Sequence, residues 1–139
     1  MTHETEDKLA SARAQGQAQF DSIKEMVEAL AAAADRDREA AEQAIHEDAL
    51  SVEVRSGWYV LGARDADTKP AEYCILLCTG GPGCRIVGQL SEHGEPETAV
   101  MEVQDWFQPW TAMRPQVAAD NHDSEPTMLA YARCFYFGE

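Results

Sequence analysis

The spacing of apolar residues divides the chain into a helical first third and a remainder that is rich in strands. Between residues 20 and 45, apolar side chains recur every three or four positions, which places them on one face of a helix. Residues 1–50 contain no proline and a single glycine, Gly16, and are rich in Ala, Glu, Gln and Arg, a composition that favours helix. The polar residues 1–19 precede this pattern, and we expect them to be partly disordered.

The helical segment is predicted to form two helices that meet near residues 33–36. One continuous helix over residues 20–45 would extend about 39 Å, longer than a domain of this size is wide. Asp35 follows four alanines and suits the N-cap of the second helix. The apolar stripe of the first helix would either pack against a sheet or pair two copies of the chain as a homodimer. Its members are Phe20, Ile23, Met26, Val27 and Leu30.

At residue 51 the pattern changes from helical spacing to alternation, which indicates β-strands. Four strands are predicted, near residues 52–60, 73–79, 84–90 and 99–103. The first is expected to be half-buried, with Val52, Val54, Trp58 and Val60 as its apolar side. Gly80–Gly83 joins the second and third strands and has three glycines and one proline, which is typical of a tight hairpin turn.

The last element is ambiguous in sequence and is predicted to be a helix over residues 127–137. Met128, Leu129, Ala132 and Tyr136 suit one helical face, whereas Cys134–Phe137 would also suit a strand. Together these elements predict a single α+β domain with an antiparallel sheet over residues 51–106 and helices on one of its faces. In chain order we expect two N-terminal helices over residues 20–48, a four-stranded antiparallel meander and a C-terminal helix.

Charge narrows the possible partners. The chain has 139 residues, the size of one domain, and its 25 acidic against 11 basic residues give a net charge of −14. Such a surface argues against direct binding to nucleic acid or to an anionic membrane, because phosphate contacts need cations. It suits a basic or nucleic-acid-handling protein partner, or a small polar substrate.

The sequence also carries expectations about compartment. No apolar run approaches the roughly 20 residues of a membrane helix, and no signal peptide is recognisable. The four cysteines fit a reducing compartment as small buried apolar groups. We therefore expect a cytoplasmic protein.

No motif assigns a catalytic residue, a cofactor or a metal. The glycines at positions 80–83 are followed by a strand rather than by the helix that a phosphate-binding loop requires, which favours a structural hairpin. Cys74 and Cys78 would lie about 13 Å apart on one strand, too far to share one tetrahedral zinc ion. The four histidines lie in polar stretches without ligand spacing.

An aromatic cluster after the fourth predicted strand is one candidate contact surface. Trp106, Phe107 and Trp110 lie within five residues of one another, and Arg55 is expected to lie nearby. Aromatic residues and arginine are enriched at binding hot spots. The same aromatic side chains could instead anchor a loop on the core, and the sequence leaves both interpretations open.

Carboxylates on the second helix, Glu39, Glu42 and Glu47, are the other candidate contact surface. The simpler interpretation is a solvated helix face. The alternative is that this row of charges imitates DNA phosphates and occupies the nucleic-acid-binding groove of another protein. Arg36 and Arg38 interrupt the row and weigh against that alternative.

An enzyme with a small polar substrate is a second class of function. Arg55 or Arg85 would hold an anionic group, and Asp105 or Glu102 would transfer a proton. This hypothesis requires a deep concavity lined by Arg85, Asp105 and Tyr73. A third possibility is an accessory structural subunit in which the first helix pairs two copies of the chain.

Four strings of the sequence are distinctive: Leu50–Trp58, Glu72–Gly88, Gln104–Trp106 with Pro109–Trp110, and Phe135–Glu139. They resemble a family of small uncharacterised proteins from bacterial mobile elements and phage-like regions, over most of residues 20–139. That family has no established activity, so the resemblance implies a setting and assigns no residue. The setting is that of inhibitors of host defence, such as anti-CRISPR or anti-restriction proteins, which act by occupying a surface.

Overall fold

The computed structural model describes residues 2–62, 69–79, 82–105, 108–117, 123–135 and 137, with side chains from Leu9 onward. These residues form three helices and five strands. In chain order they are α1 (Thr2–Ala32), α2 (Asp35–Asp48), β1 (Ser51–Ser56), β2 (Pro70–Cys78), β3 (Pro82–Gln89), β4 (Val100–Asp105), β5 (Thr111–Met113) and α3 (Glu125–Ala132). The α+β class and the element order are as predicted, apart from the fifth strand.

Two helices form the N-terminal third, and the predicted break between them is confirmed at residues 33–34. α1 begins at Thr2, well before the apolar stripe, and Ala12 is already fully buried. α2 begins at Asp35, and its N-cap is Ala34, which is extended and makes no side-chain cap hydrogen bond. The prediction of Asp35 as the N-cap is therefore wrong by one position. Its carboxylate still lies in the first turn, where negative charge interacts favourably with the helix dipole.

The apolar stripe of α1 packs against the protein's own sheet. Phe20 and Ile23 are fully buried, and the helix packs mainly on β3 and β4. A Cβ atom at Gly16 would lie 2.8 Å from Val103 Cγ1 and closer still to Met113 Sδ, so a glycine permits the close approach of helix and sheet. Because these side chains are already buried in the core, they could pair two copies of the chain only if the helix left the sheet. The predicted homodimer through the N-terminal helices is not supported.

The sheet is one antiparallel meander in the order β1-β2-β3-β4-β5. Residues that alternate along the central strands are buried beneath the helices, as the period-two pattern predicted. These residues are Tyr73, Ile75, Leu77, Cys84, Ile86, Met101 and Val103. β2 and β3 pair directly with each other, which confirms that the glycine-rich segment joins two strands of a hairpin. Gly80 and Gly81 themselves lie outside the described residues.

The fifth strand corrects the prediction of four. β5 pairs with β4 through Met101–Met113, Glu102–Ala112 and Val103–Thr111. Three residues are too few to show alternation, so the strand left no signal in the sequence. The chain beyond it is held by α1, because the Gln17 side-chain amide donates to the Gln116 carbonyl at 2.9 Å and its oxygen accepts from the Gln116 N–H at 2.7 Å.

The C-terminal element is a helix, as predicted, but it is shorter than residues 127–137. α3 runs over Glu125–Ala132 and has Pro126 in its first turn, where a missing N–H costs nothing. Met128 and Tyr131 are buried, and the helix packs on α1. Phe137 lies beyond the helix and is buried with its ring centroid 5.1 Å from that of Tyr73. Within the described residues, no helix has both the length and the apolar character needed to cross a membrane.

Candidate interaction surfaces

The side of the sheet that faces away from the helices forms a shallow concavity of about 500 Å³. We call this side the open face. Its strands present alternating charged and apolar side chains, because residues opposite to the buried set point this way. Side chains on it include Glu53, Arg55, Glu72, Cys74, Arg85, Val87, Val100 and Glu102.

Two arginines on the open face are each held by a carboxylate directly opposite on the neighbouring strand. Arg55 Nε and Nη2 donate to the two oxygens of Glu72 at 2.8 and 3.2 Å. These hydrogen bonds lower the pKa of the Glu72 carboxyl and raise the pKa of the Arg55 guanidinium. Arg85 is less exposed and lies 2.7 Å from Glu102 Oε1. Each guanidinium is therefore already paired with a carboxylate of its own chain, although Arg55 is largely exposed and keeps N–H donors that Glu72 does not use.

The concavity brings together only part of the set that the enzyme hypothesis named: Arg55, Arg85, Tyr73 and Glu102 line it, and Asp105 does not. Arg85 lines the concavity, but Asp105 lies on the helix-facing side of β4 and is 6% exposed. Its Oδ1 has no hydrogen-bond partner among the described residues. Tyr73 is also buried, and its hydroxyl donates to the Thr98 carbonyl at 2.7 Å. Burial raises the pKa of that hydroxyl, so Tyr73 stays protonated.

Trp110, the described member of the aromatic cluster, packs against the sheet. Trp110 is half-buried, and the guanidinium carbon of Arg85 lies 4.2 Å from the centroid of its ring. Trp110 also covers Gly83, where an added Cβ would lie 3.1 Å from Trp110 Cη2. These contacts favour the loop-anchoring interpretation for this residue. Trp106 and Phe107 lie outside the described residues.

Arg55 does not join the aromatic cluster. It lies on β1 at the level of Gln89 of β3, whereas Trp110 packs over Arg85. The two are therefore two strands apart, about 10 Å, and are also offset by about 13 Å along the strand direction. For Trp110, the expectation that Arg55 lies beside the cluster is therefore wrong. The reason is that β2 lies between the two strands and that the strand register offsets Arg55 from Arg85.

The acidic surface of α2 is exposed and rigidly supported. All six residues from Asp35 to Ala40 are exposed, as is Glu47, whereas Glu42 is half-buried and lies 3.7 Å from Arg38. The other end of the helix is anchored to the body. The anchors are Ile45, which is fully buried, Asp48, which accepts a hydrogen bond from Tyr131 at 2.8 Å, and His46, whose Nε2 lies 2.6 Å from the Cys134 carbonyl oxygen.

A third surface was missed by the sequence interpretation. Among the described residues, seven of the eight large apolar side chains that are exposed fall between residues 50 and 61. We call residues 50–61 the apolar edge segment. Its exposed members are Leu50, Val52, Val54, Trp58, Tyr59, Val60 and Leu61.

The apolar edge segment corrects the predicted first strand. β1 ends at Ser56, not near residue 60, and Val52 and Val54 are 39% and 46% exposed. Trp58 and Val60 follow the strand and are almost wholly exposed. The alternation that suggests burial is real, but the helices lie over β3 and β4 and leave the outer strand uncovered.

The cysteines are free thiols and are poorly suited to act as nucleophiles or metal ligands. All four are free thiols; Cys84 is fully buried and the others are half-buried. Burial, together with the nearby Cys78, raises the pKa of the Cys84 thiol to about 12. Burial also raises the pKa of Cys74, Cys78 and Cys134, which keeps their thiols protonated. In the part of the chain that the structure describes, no three His, Cys, Asp or Glu side chains are grouped to hold a metal ion.

Comparisons with known protein families, with curated proteins and with solved structures found no match to this chain. Its function must therefore be inferred from its own geometry and charge.

Proposed function

We propose that this protein is a non-catalytic binding protein that docks on a basic protein through the acidic surface of α2. The observation that carries the proposal is the exposure of this helix, which projects its charged end from a firmly anchored base. A nucleic-acid-handling protein is the partner class that fits, because its binding groove is built to accept a row of negative charges.

Charge supports this assignment. α2 contains six acidic residues and two arginines, and the whole chain carries −14. Both arginines pair within the helix, Arg36 with Asp37 at 3.9 Å and Arg38 with Glu42 at 3.7 Å. Such exposed pairs are weak and can open when a partner offers cations. The helix therefore carries four more carboxylates than guanidinium groups.

Rigidity supports it further. A docking helix gains affinity when little conformational freedom is lost on binding. Ile45 and the Tyr131–Asp48 hydrogen bond fix the C-terminal half of α2 to the core before any partner arrives. The exposed N-terminal half then extends from a fixed base, which preserves the spacing of its charges.

The biological setting of the proposal comes from the resemblance to mobile-element proteins. We assign the protein, on that basis, to inhibitors of a host nuclease or defence complex of the anti-CRISPR or anti-restriction kind, acting in the cytoplasm as a DNA mimic. The aromatic cluster is a weaker contact candidate, because Trp110 already packs against Arg85 and Gly83.

The test is capture of partners from a host lysate at low and moderate salt, with three baits. Glu39, Glu42 and Glu47 are changed to Gln in the test variant. Asp21→Asn with Glu25→Gln and Glu28→Gln on α1 is the matched control, since it removes three negative charges from the solvent-exposed side of another helix. We expect the unchanged chain and the control to retain a basic partner at low salt, and the α2 variant to lose it.

Salt and kinetics sharpen that result. If α2 steers association, neutralising its three glutamates should slow the association rate more than it changes dissociation. Recovery of no partner at either salt concentration, or equal losses for the α2 variant and the control, would contradict the proposal.

A further inference from the structure

β1 is the outermost strand at one side of the sheet and offers a free hydrogen-bonding edge. It pairs with β2 on one side, and no other strand of the described residues lies on its outer side. An exposed edge of this length is a template for pairing with another strand unless proline, lysine or a short length blocks it. β1 has six residues and contains neither proline nor lysine. Its two charged residues, Glu53 and Arg55, are of opposite sign, and the one shift in its pairing with β2 lies at its end, between Arg55 and Ser56.

The apolar edge segment coincides with this free edge. Val52 and Val54 lie on the helix-facing side of β1, opposite Ile75 and Tyr73 of β2, yet they remain 39% and 46% exposed. Leu50 and Trp58, just outside the strand, are 60% exposed and fully exposed. Exposed apolar side chains concentrated at one place on a protein mark a surface that another molecule covers.

The charges of β1 are complementary to β1 itself. When a strand pairs antiparallel with its own copy about a two-fold axis, facing residues must lie on the same side of the sheet, so the axis passes through a residue. An axis at Val54 places Glu53 of each copy opposite Arg55 of the other. An axis at Glu53 or at Arg55 would instead place like charges opposite each other, which is destabilising.

The same register also matches the apolar residues. It places Val54 opposite Val54 of the second copy, and Leu50 at the level of Trp58 across the interface. Arg55 would then lie between Glu72 of its own chain, 2.8 Å away, and Glu53 of the second copy. A second copy therefore pairs the charges of β1 and covers the apolar side chains of Leu50, Val54 and Trp58, whereas Val52 faces Ser56 of the other copy.

We infer that two copies of this chain pair antiparallel through β1, with the two-fold axis at Val54, to form one continuous ten-stranded sheet. The register pairs residues 50–58 of each copy and uses none of the glutamates of α2, so the inference goes beyond the proposed function. Either proposal can fail without the other.

Sedimentation velocity of the full chain over a wide concentration range tests the dimer. It is measured at moderate and raised salt, because salt screens the repulsion between copies that each carry −14. Val54→Lys places two like charges on the axis and is expected to give a monomer. Val100→Lys is the matched control, because Val100 is also an exposed valine of the sheet, 40% exposed on β4, and its change should leave the dimer intact.

A charge exchange tests the register itself. Glu53→Arg and Arg55→Glu should each give a monomer, because each change places like charges opposite each other in a self-pair. An equimolar mixture of the two variants restores opposite charges at every facing position and should form a heterodimer, detected by native mass spectrometry. Circular dichroism and the urea midpoint of each variant show that it is folded.

A monomer under every condition overturns the inference. A dimer that Val54→Lys and Val100→Lys affect equally also overturns it, because the interface would then lie elsewhere. If Val54→Lys gives a monomer but the mixed charge variants do not associate, the register centred on Val54 is wrong.

Discussion

The sheet ends at β5 on one side and at β1 on the other, and the two edges are built from different residues. β5 has three residues, lies between Pro109 and the fully buried Pro115, and is followed by Gln116, whose backbone binds the Gln17 amide of α1. β1 has six residues, and its valines are about half exposed. The chain just after β5 is thus tied to α1, whereas the outer side of β1 pairs with no strand of the described residues.

The position of α1 explains this difference. Gly16 allows the helix to lie against Val103 and Met113, at the β4–β5 side of the sheet. Because the helix packs mainly on β3 and β4, its apolar stripe does not extend to β1. An apolar side chain on a strand is therefore not necessarily buried. It depends on whether a second layer reaches that strand.

The largest expected effect lies beneath the helix. Phe20→Ala removes a fully buried aromatic side chain and should lower the free energy of unfolding by about 3–5 kcal/mol. Val54→Ala at the open edge should lower it by less than about 1 kcal/mol, because that side chain already meets solvent. Urea denaturation of dilute protein checks both. If the two variants lose the same free energy of unfolding, Val54 is as well buried as Phe20 and the β1 edge is not uncovered.

The covered side should also respond to alkaline pH. Burial raises the folded-state pKa of Cys84 to about 12, so the stability that this thiol contributes is fully present below its unfolded pKa of about 9. It is lost as the pH rises from there toward 12, at up to about 1.4 kcal/mol per pH unit. Tyr131, whose pKa is raised by burial and by its hydrogen bond to Asp48, adds a loss above about pH 10.

Urea denaturation across the alkaline range measures this loss. Cys84→Ala should show a shallower decline than the unchanged chain between about pH 9 and 10, before the tyrosines titrate. Val54→Ala should decline as steeply as the unchanged chain, because the open edge holds no buried thiol. Identical slopes for all three proteins would exclude Cys84 as the titrating group.

The smallest effect concerns the closure of the β5 edge. Gln17→Met keeps the helix propensity and the side-chain length but removes both hydrogen bonds to Gln116 and the exposed bond to Asp21. It should cost about 1 kcal/mol. Gln43→Met on α2 is the control, since Gln43 bonds only the exposed Glu47, and it should cost less than about 0.5 kcal/mol. If Gln17→Met costs no more than the control, the β5 edge is not closed by this contact.

Much of the fold follows from local pattern. The break between the two helices, the hairpin at Gly80–Gly83, the antiparallel order and the helical nature of residues 125–132 are each encoded by neighbouring residues. Such features depend on spacing, turn chemistry and helix propensity, which act over a few positions. β5 was not predicted, because a strand of three residues is too short to show an alternation of apolar and polar positions.

The candidate surfaces depended on contacts between residues distant in sequence. The pairings of Arg55 with Glu72 and of Arg85 with Glu102 are set by strand register, and they give each arginine a carboxylate partner within its own chain. The stacking of Arg85 on Trp110 likewise joins β3 to a loop 25 positions further along the chain. No local pattern specifies which cation meets which anion across a sheet.

The amino-acid sequence by itself determined the α+β class, the order of most elements, the acidic charge of α2 and the apolar side of β1. Only the tertiary structure decided that β1 is an uncovered edge, and that Val52 and Val54 face solvent. The physical reason is that a strand's pattern states which side is apolar, whereas the placement of α1 over β3 and β4 decides which apolar sides lose contact with water.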